Sequence, residues 1–126
     1  MTRTIIYTSD APAPPPTYSQ AVRANGFIFV SGTGPFDAAT GAVTGDTIGE
    51  QTAQCFRNIP SILASQSRTL ADVVSATFIL WDEADFGGMN EEWAKWFPKD
   101  PPARQGAKLP IHLKGQRVSV AVIAAG

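Results

Sequence analysis

Pro101-Pro102-Ala103-Arg104 and, past the pair Lys114-Gly115, Val118-Ser119-Val120-Ala121-Val122-Ile123-Ala124-Ala125 form the stretch around which this chain is organised. The two prolines stiffen the entry, because proline fixes its own φ and drives the residue before it towards extended backbone. The later run is uncharged and rich in valine, as a buried strand is. Lys114-Gly115 has the composition of a turn. Together these features predict one hairpin, with Arg104 at the start of its first arm. A guanidinium on a rigid, largely apolar framework suits a carboxylate or phosphate, to which its planar fork donates two parallel hydrogen bonds.

Around that hairpin the chain is an ordinary globule of 126 residues, 44% apolar and 17% charged, with net charge −1. That size predicts one domain over residues 1–126 with a real core. The charge disfavours nucleic acid as a partner, since there is no basic footprint to hold phosphates. One cysteine and one histidine leave too few soft ligands for a metal cage, so neither a metal nor another cofactor is expected. No apolar run has the length of a signal peptide or a bilayer span, which excludes a membrane role and makes the cytoplasm the expected location.

The elements follow from periodicity. Thr4 to Tyr7 is a short edge strand, halted by Ser9-Asp10 and the proline-rich loop. Tyr18 to Arg23 is extended, and Asn25-Gly26 predicts a two-residue hairpin turn. Phe27 to Gly32 is apolar on both faces, so a cover is expected on both sides. Asp37 to Gly45 is a surface loop turning at Ala39-Thr40-Gly41. Thr47-Ile48-Gly49-Glu50 is a capping box that opens a helix. Its buried stripe is Ile48, Thr52, Cys55, Phe56, Ile59, Ile62 and Leu63. Pro60 falls inside and predicts a kink or an early end. Leu70 to Trp81 is the central strand, with Val74, Ala76, Phe78 and Leu80 on one face and Val73, Ser75, Thr77 and Ile79 on the other. A second helix runs from Phe86 to Phe97, capped by Asp85, and buries Phe86, Met89, Asn90, Trp93, Trp96 and Phe97. Two helices cover one face of such a sheet. The other face is small and apolar, which points to an oligomer with pockets between its subunits.

Arg104 is the leading functional candidate. Tyr18, after the prolines, and Ser31-Gly32, at the end of a buried strand, form a second cluster. They are either a loop anchor and a strand end, which is the commoner case, or a site for an oxyanion or a water. Asn90 reaches a ligand or binds backbone, and spacing does not separate the two. His112 sits beside the Lys114-Gly115 turn and reads as an exposed tip. Cys55, Trp93 and Trp96 read as core or interface, and Glu91 and Glu92 as solvated. No nucleophile–base pair or phosphate-cradling loop is present.

The order of elements and four motifs resemble the YjgF-like, or reactive intermediate deaminase (Rid), family. The motifs are the proline-rich lead into Tyr18-Ser19-Gln20-Ala21-Val22, then Val30-Ser31-Gly32 before Gly34-Pro35, Asn90, and Pro102-Ala103-Arg104 ahead of the terminal strand. The resemblance implies an α/β (α+β) chorismate-mutase-like fold: a six-stranded mixed sheet, two helices on one face, and a homotrimer with clefts between subunits. It implies hydrolysis of enamines and imines of amino acids to a 2-oxo acid and ammonia, without a cofactor. The residue matching Arg104 clamps the small-molecule carboxylate, and those matching Tyr18, Ser31, Gly32 and Asn90 line the cleft.

Three positions depart from the family. Its deaminases carry the form I-E-I-E-A-I-A in the last strand, and here Ser119 stands at the catalytic glutamate and Ala121 at the second acid. Gly106 replaces the usual cysteine two residues after the arginine. Arg104 and Ser119 are therefore the catalytic positions, and Gly106 joins the substrate-binding set. Serine is not a base at neutral pH without an activator. The sequence thus leaves open weakened or altered imine hydrolysis, a reaction on another carboxylate, or a non-catalytic metabolite-binding trimer. An endoribonuclease is the least favoured alternative.

Overall fold

A computed structural model describes residues 2–109 and 115–126. Six strands, β1 (Thr4–Ile6), β2 (Ala21–Ala24), β3 (Phe27–Thr33), β4 (Val73–Leu80), β5 (Ala103–Lys108) and β6 (Val118–Ala125), form one sheet in the order β1-β2-β3-β6-β4-β5. Two helices, α1 (Ile48–Ala64) and α2 (Phe86–Trp96), complete it. This is an α+β, chorismate-mutase-like fold with both helices on one face.

The sheet is antiparallel except where β4 and β5 run parallel. The expected terminal hairpin does not form. β6 lies between β3 and β4, antiparallel to both, while β5 pairs with β4 alone and makes the far edge. The reason is burial. Val118, Val120, Val122 and Ala124 are buried to 2% exposure or less, which only a central position provides. The six residues of β5 are all exposed, as an edge strand permits. Lys114 lies outside the described residues; Gly115, of the expected turn, has φ +78°.

Local signals hold at several points. Asn25 and Gly26 both have positive φ, 52° and 79°, as the tight β2–β3 turn requires. Thr47 and Glu50 close a reciprocal capping box: Glu50 N–H donates to Thr47 Oγ1 at 3.1 Å and Thr47 N–H to Glu50 Oε1 at 3.0 Å. The Glu50 carboxyl is accordingly held below its ordinary range, chiefly by the Thr47 backbone N–H. Pro60 does not end α1, which continues to Ala64. Ser61 Oγ there donates to the Arg57 carbonyl at 3.2 Å.

Three expectations change. Asp85 makes no side-chain cap for α2; a 3-10 turn, Glu83–Asp85, runs straight into that helix and is itself capped by Asp82, which accepts from the Ala84 N–H at 2.9 Å. In β4 a register shift between Val73 and Ser75 reverses the first residues, so that Val73 is buried and Val74 is 45% exposed. On α2, Met89, Trp93 and Phe97 are buried, but Phe86 is 44% exposed.

The core fills the space between helices and sheet. Phe56, fully buried, meets Trp93 edge-on at 5.0 Å, Phe97 at 5.5 Å and Trp96 at 5.9 Å. Such pairs add about 0.5–1.5 kcal/mol each beyond their buried area. The other face of the sheet has no helix, and Ile5, Phe27 and Phe29 lie exposed on it. The cover expected on both faces of β3 is therefore present on one only.

Candidate functional site

Two separate clusters emerge from this framework. The first is on β5. Arg104 pairs in register with Ala76 and Gly106 with Phe78, so both point to the helix-covered face. The Arg104 guanidinium carbon lies 4.9 Å from the centroid of Phe78, 4.9 Å from that of Trp93 and 5.9 Å from that of Phe86. Its Nη1 donates to Asn90 Oδ1 at 2.7 Å. Three aromatic faces and one amide thus hold a cation in place. The ion pairs among the described residues, Lys95–Glu92, Lys108–Glu83 and Arg117–Asp85, do not include Arg104.

Gly106 has a steric role. A Cβ at this position would lie 2.1 Å from the Phe78 ring, so no side chain fits unless the ring moves. The space that a cysteine would occupy is filled by Phe78, one of the rings on which Arg104 rests.

The second cluster is a cavity of about 750 Å³ that contains Tyr18, Ser31, Gly32 and Ser119. It lies at an interruption of the sheet. The β3–β6 ladder passes from Val30↔Val122 to Thr33↔Val120, which leaves Ser31 and Gly32 in the irregular step. Bulges of this kind re-aim side chains beside sites. A Cβ on Gly32 would lie 3.1 Å from Ser119 Oγ, so the glycine leaves room for that hydroxyl. Ser31 Oγ donates to the Ser19 carbonyl at 2.6 Å, and its backbone N–H donates to the Gln20 carbonyl at 3.0 Å. Its proton is thus committed, and its lone pairs are what it offers as an acceptor.

The walls are fastened by buried amides that apolar periodicity does not reveal. Gln20, 5% exposed, donates from Nε2 to the carbonyls of Thr8 and Pro12 at 3.0 and 2.9 Å and accepts the Thr8 N–H, pinning the proline loop. On α1, Asn58 Nδ2 donates to the carbonyls of Gly34 and Phe36 at 3.1 and 2.8 Å. Gln54 joins through Phe36 and Asn58, and Gln51 ties Gly45 to Gly115. Asp37 Oδ1 accepts the N–H groups of Thr40 and Ala39, both at 2.9 Å, which shapes the loop at the rim and holds this carboxyl below its ordinary range. For Gln51, Gln54 and Asn58 the available signal is three amides on an otherwise largely apolar face of α1.

One subunit does not unite the clusters. Ser119 pairs with Ile79 and so faces the bare side of the sheet, opposite to Arg104. The cavity lining among the described residues includes no charged side chain. Cys55 is buried beneath the sheet, and burial pushes its thiol up, far from a reactive thiolate. His112 lies outside the described residues. Among the described residues no cluster of His, Cys, Asp and Glu could hold a metal, and no helix is long and apolar enough to cross a membrane.

A family profile described as Endoribonuclease L-PSP matches residues 8–125. A RutC family protein of Pyrococcus horikoshii is 37% identical over 120 residues, covering 95% of each chain. A protein of Rattus norvegicus named 2-iminobutanoate/2-iminopropanoate deaminase is 34% identical, over 97% of this chain and 89% of its own. The crystal structure of RidA from an Antarctic Psychrobacter superposes with a TM-score of 0.91 at 32% identity, over 98% of this chain and 99% of that one. The chain belongs to the Rid (YjgF-like) family.

Proposed function

We propose that this protein binds a small 2-imino or enamino carboxylate between subunits of a homotrimer and hydrolyses it to a 2-oxo acid and ammonia. The observation that carries this reading is Arg104: a cation held by three rings and Asn90, with no ion-pair partner among the described residues. Its remaining N–H groups are free to take a carboxylate as a fork. The bare apolar face, with Ile5, Phe27 and Phe29, supplies a reason to associate. Association would bring Arg104 and Asn90 of one subunit to the cavity of its neighbour, with Tyr18, Ser31, Gly32 and Ser119, while Gly106 shapes the clamp through Phe78.

In this scheme Arg104 fixes the carboxylate and orients the adjacent C=N carbon towards the cavity. Water adds to that carbon, its proton passes to nitrogen, and the carbinolamine expels ammonia as the carbonyl forms. Ser119 and the lone pairs of Ser31 hold the water; neither is a base at neutral pH. Without a general base the rate falls by about a hundredfold to ten-thousandfold. Positioning remains, and an imine is already electrophilic.

The direct test is release of 2-oxo acid and ammonia from freshly generated iminopropanoate by the wild type and Arg104→Ala. Wild-type turnover above background that disappears in the variant is expected; equal rates at background would refute it. The uncharged lining favours one second reading, a trimer that binds a 2-oxo acid without turnover. Net charge −1 offers little support for ribonuclease action despite the family's description.

A further inference from the structure

The cavity does more than hold a water. Resting on the reading above, we propose that it accepts the side chain of a bulky apolar 2-imino acid, aromatic or branched, in preference to acids of three or four carbons.

Volume is the first ground. In a single subunit, before a neighbour's Arg104 and Asn90 enter it, the open cleft measures about 750 Å³, within the range of about 300–1,000 Å³ that takes drug-sized ligands. A three-carbon imino acid would leave most of it to water. Chemistry is the second. Pro14, Phe36, Ile62, Ile79, Trp81 and Leu109 contribute to the wall, and no charged side chain does so among the described residues. Beside polar Gln20, Ser31 and Gln116, these apolar members reward an apolar substituent, and no charged lining group among the described residues pairs with a charged one. The third ground is the residue at the sheet end. Ser119, against Gly32, is short and neutral where a glutamate would be long and charged. The substitution that removes the base also removes an anion from a lining otherwise without charge among the described residues.

The walls are also built before the ligand arrives. The Gln20 amide fixes the proline loop, and the Asn58 amide fixes Gly34 to Phe36. Little ordering is left for a ligand to drive, so apolar contact is expressed as affinity. Transfer of a phenyl side chain into such a site corresponds to about 10- to 100-fold in selectivity.

The test compares imines generated in place from phenylalanine and alanine by an amino acid oxidase, and calorimetric binding of phenylpyruvate and pyruvate, with the full chain. A second arm uses Ala38→Trp, which puts an indole in the half-buried rim. The phenyl compounds are expected to lead by at least 10-fold in kcat/KM and in Kd, and Ala38→Trp to erase that lead. Turnover with no phenyl preference would overturn this inference and leave the hydrolase standing. Tenfold tighter phenylpyruvate binding without turnover of either imine would support the chamber and overturn hydrolysis. Neither binding nor turnover would overturn both.

Discussion

β5 and β6 follow one another in sequence, and they solve opposite problems. β5 is an edge strand, exposed throughout, yet it carries the cation of the candidate site. β6 lies at the centre of the sheet with one face wholly buried, and its outward positions are Ser119, Ala121 and Ile123. The charge is thus kept where water and three aromatic rings share its solvation. The strand where a family acid would stand is left neutral. Binding and proton transfer can be lost separately, and here only the first has an evident apparatus.

Restoring an acid to the centre is the strongest way to break the contrast. Ser119→Glu is expected to raise imine hydrolysis by about a hundredfold or more if position 119 addresses the bound water. Steady-state rates on iminopropanoate decide this, and an unchanged rate would put the water elsewhere. Filling the edge tests the other half. Gly106→Cys drives a side chain into the Phe78 ring and should cost about 1–3 kcal/mol in urea unfolding, as overpacking does. Phe78→Leu in the same chain should recover part of that loss. A stable single variant would mean that the ring is not fixed.

Smaller effects sharpen the comparison. Asn90→Ala removes one hydrogen bond from Arg104 and should weaken 2-oxo acid binding about 5-fold, read by calorimetry, with the melting temperature little changed. Acid should act on the cavity rim before the clamp. The Asp37 carboxyl is held below its ordinary value of 3.8, so its contribution is present above that value and fades as pH falls through its lowered one. Asp37→Asn should flatten the stability profile below about pH 4, where the wild type loses the contribution of the ionised form. A profile identical to wild type would remove Asp37 from the rim's support.

Much of the fold was legible because its signals are local. The Thr47–Glu50 box, the Asn25-Gly26 turn and the α1 stripe each depend on neighbours within a turn or two. Strand order does not: β6 slots between β3 and β4 by pairing residues far apart in sequence, and the apparent hairpin was only proximity along the chain. The shift near Val74 escaped for a similar reason, since one irregular residue reverses a period of two. At the site, Arg104 and Ser119 could be read from motif positions. The rings that hold the arginine, and the amides of Gln20, Gln54 and Asn58 that fasten the cavity, acquire a role only when loops from elsewhere meet them.

The caged Arg104 is proposed as a carboxylate clamp. Calorimetric titration of a 2-oxo acid into wild type and Arg104→Ala tests it most directly. Saturable binding by the wild type is expected, with a loss of about 100-fold or more in the variant, because a charge-assisted fork is removed. Equal affinity in the two proteins would contradict it.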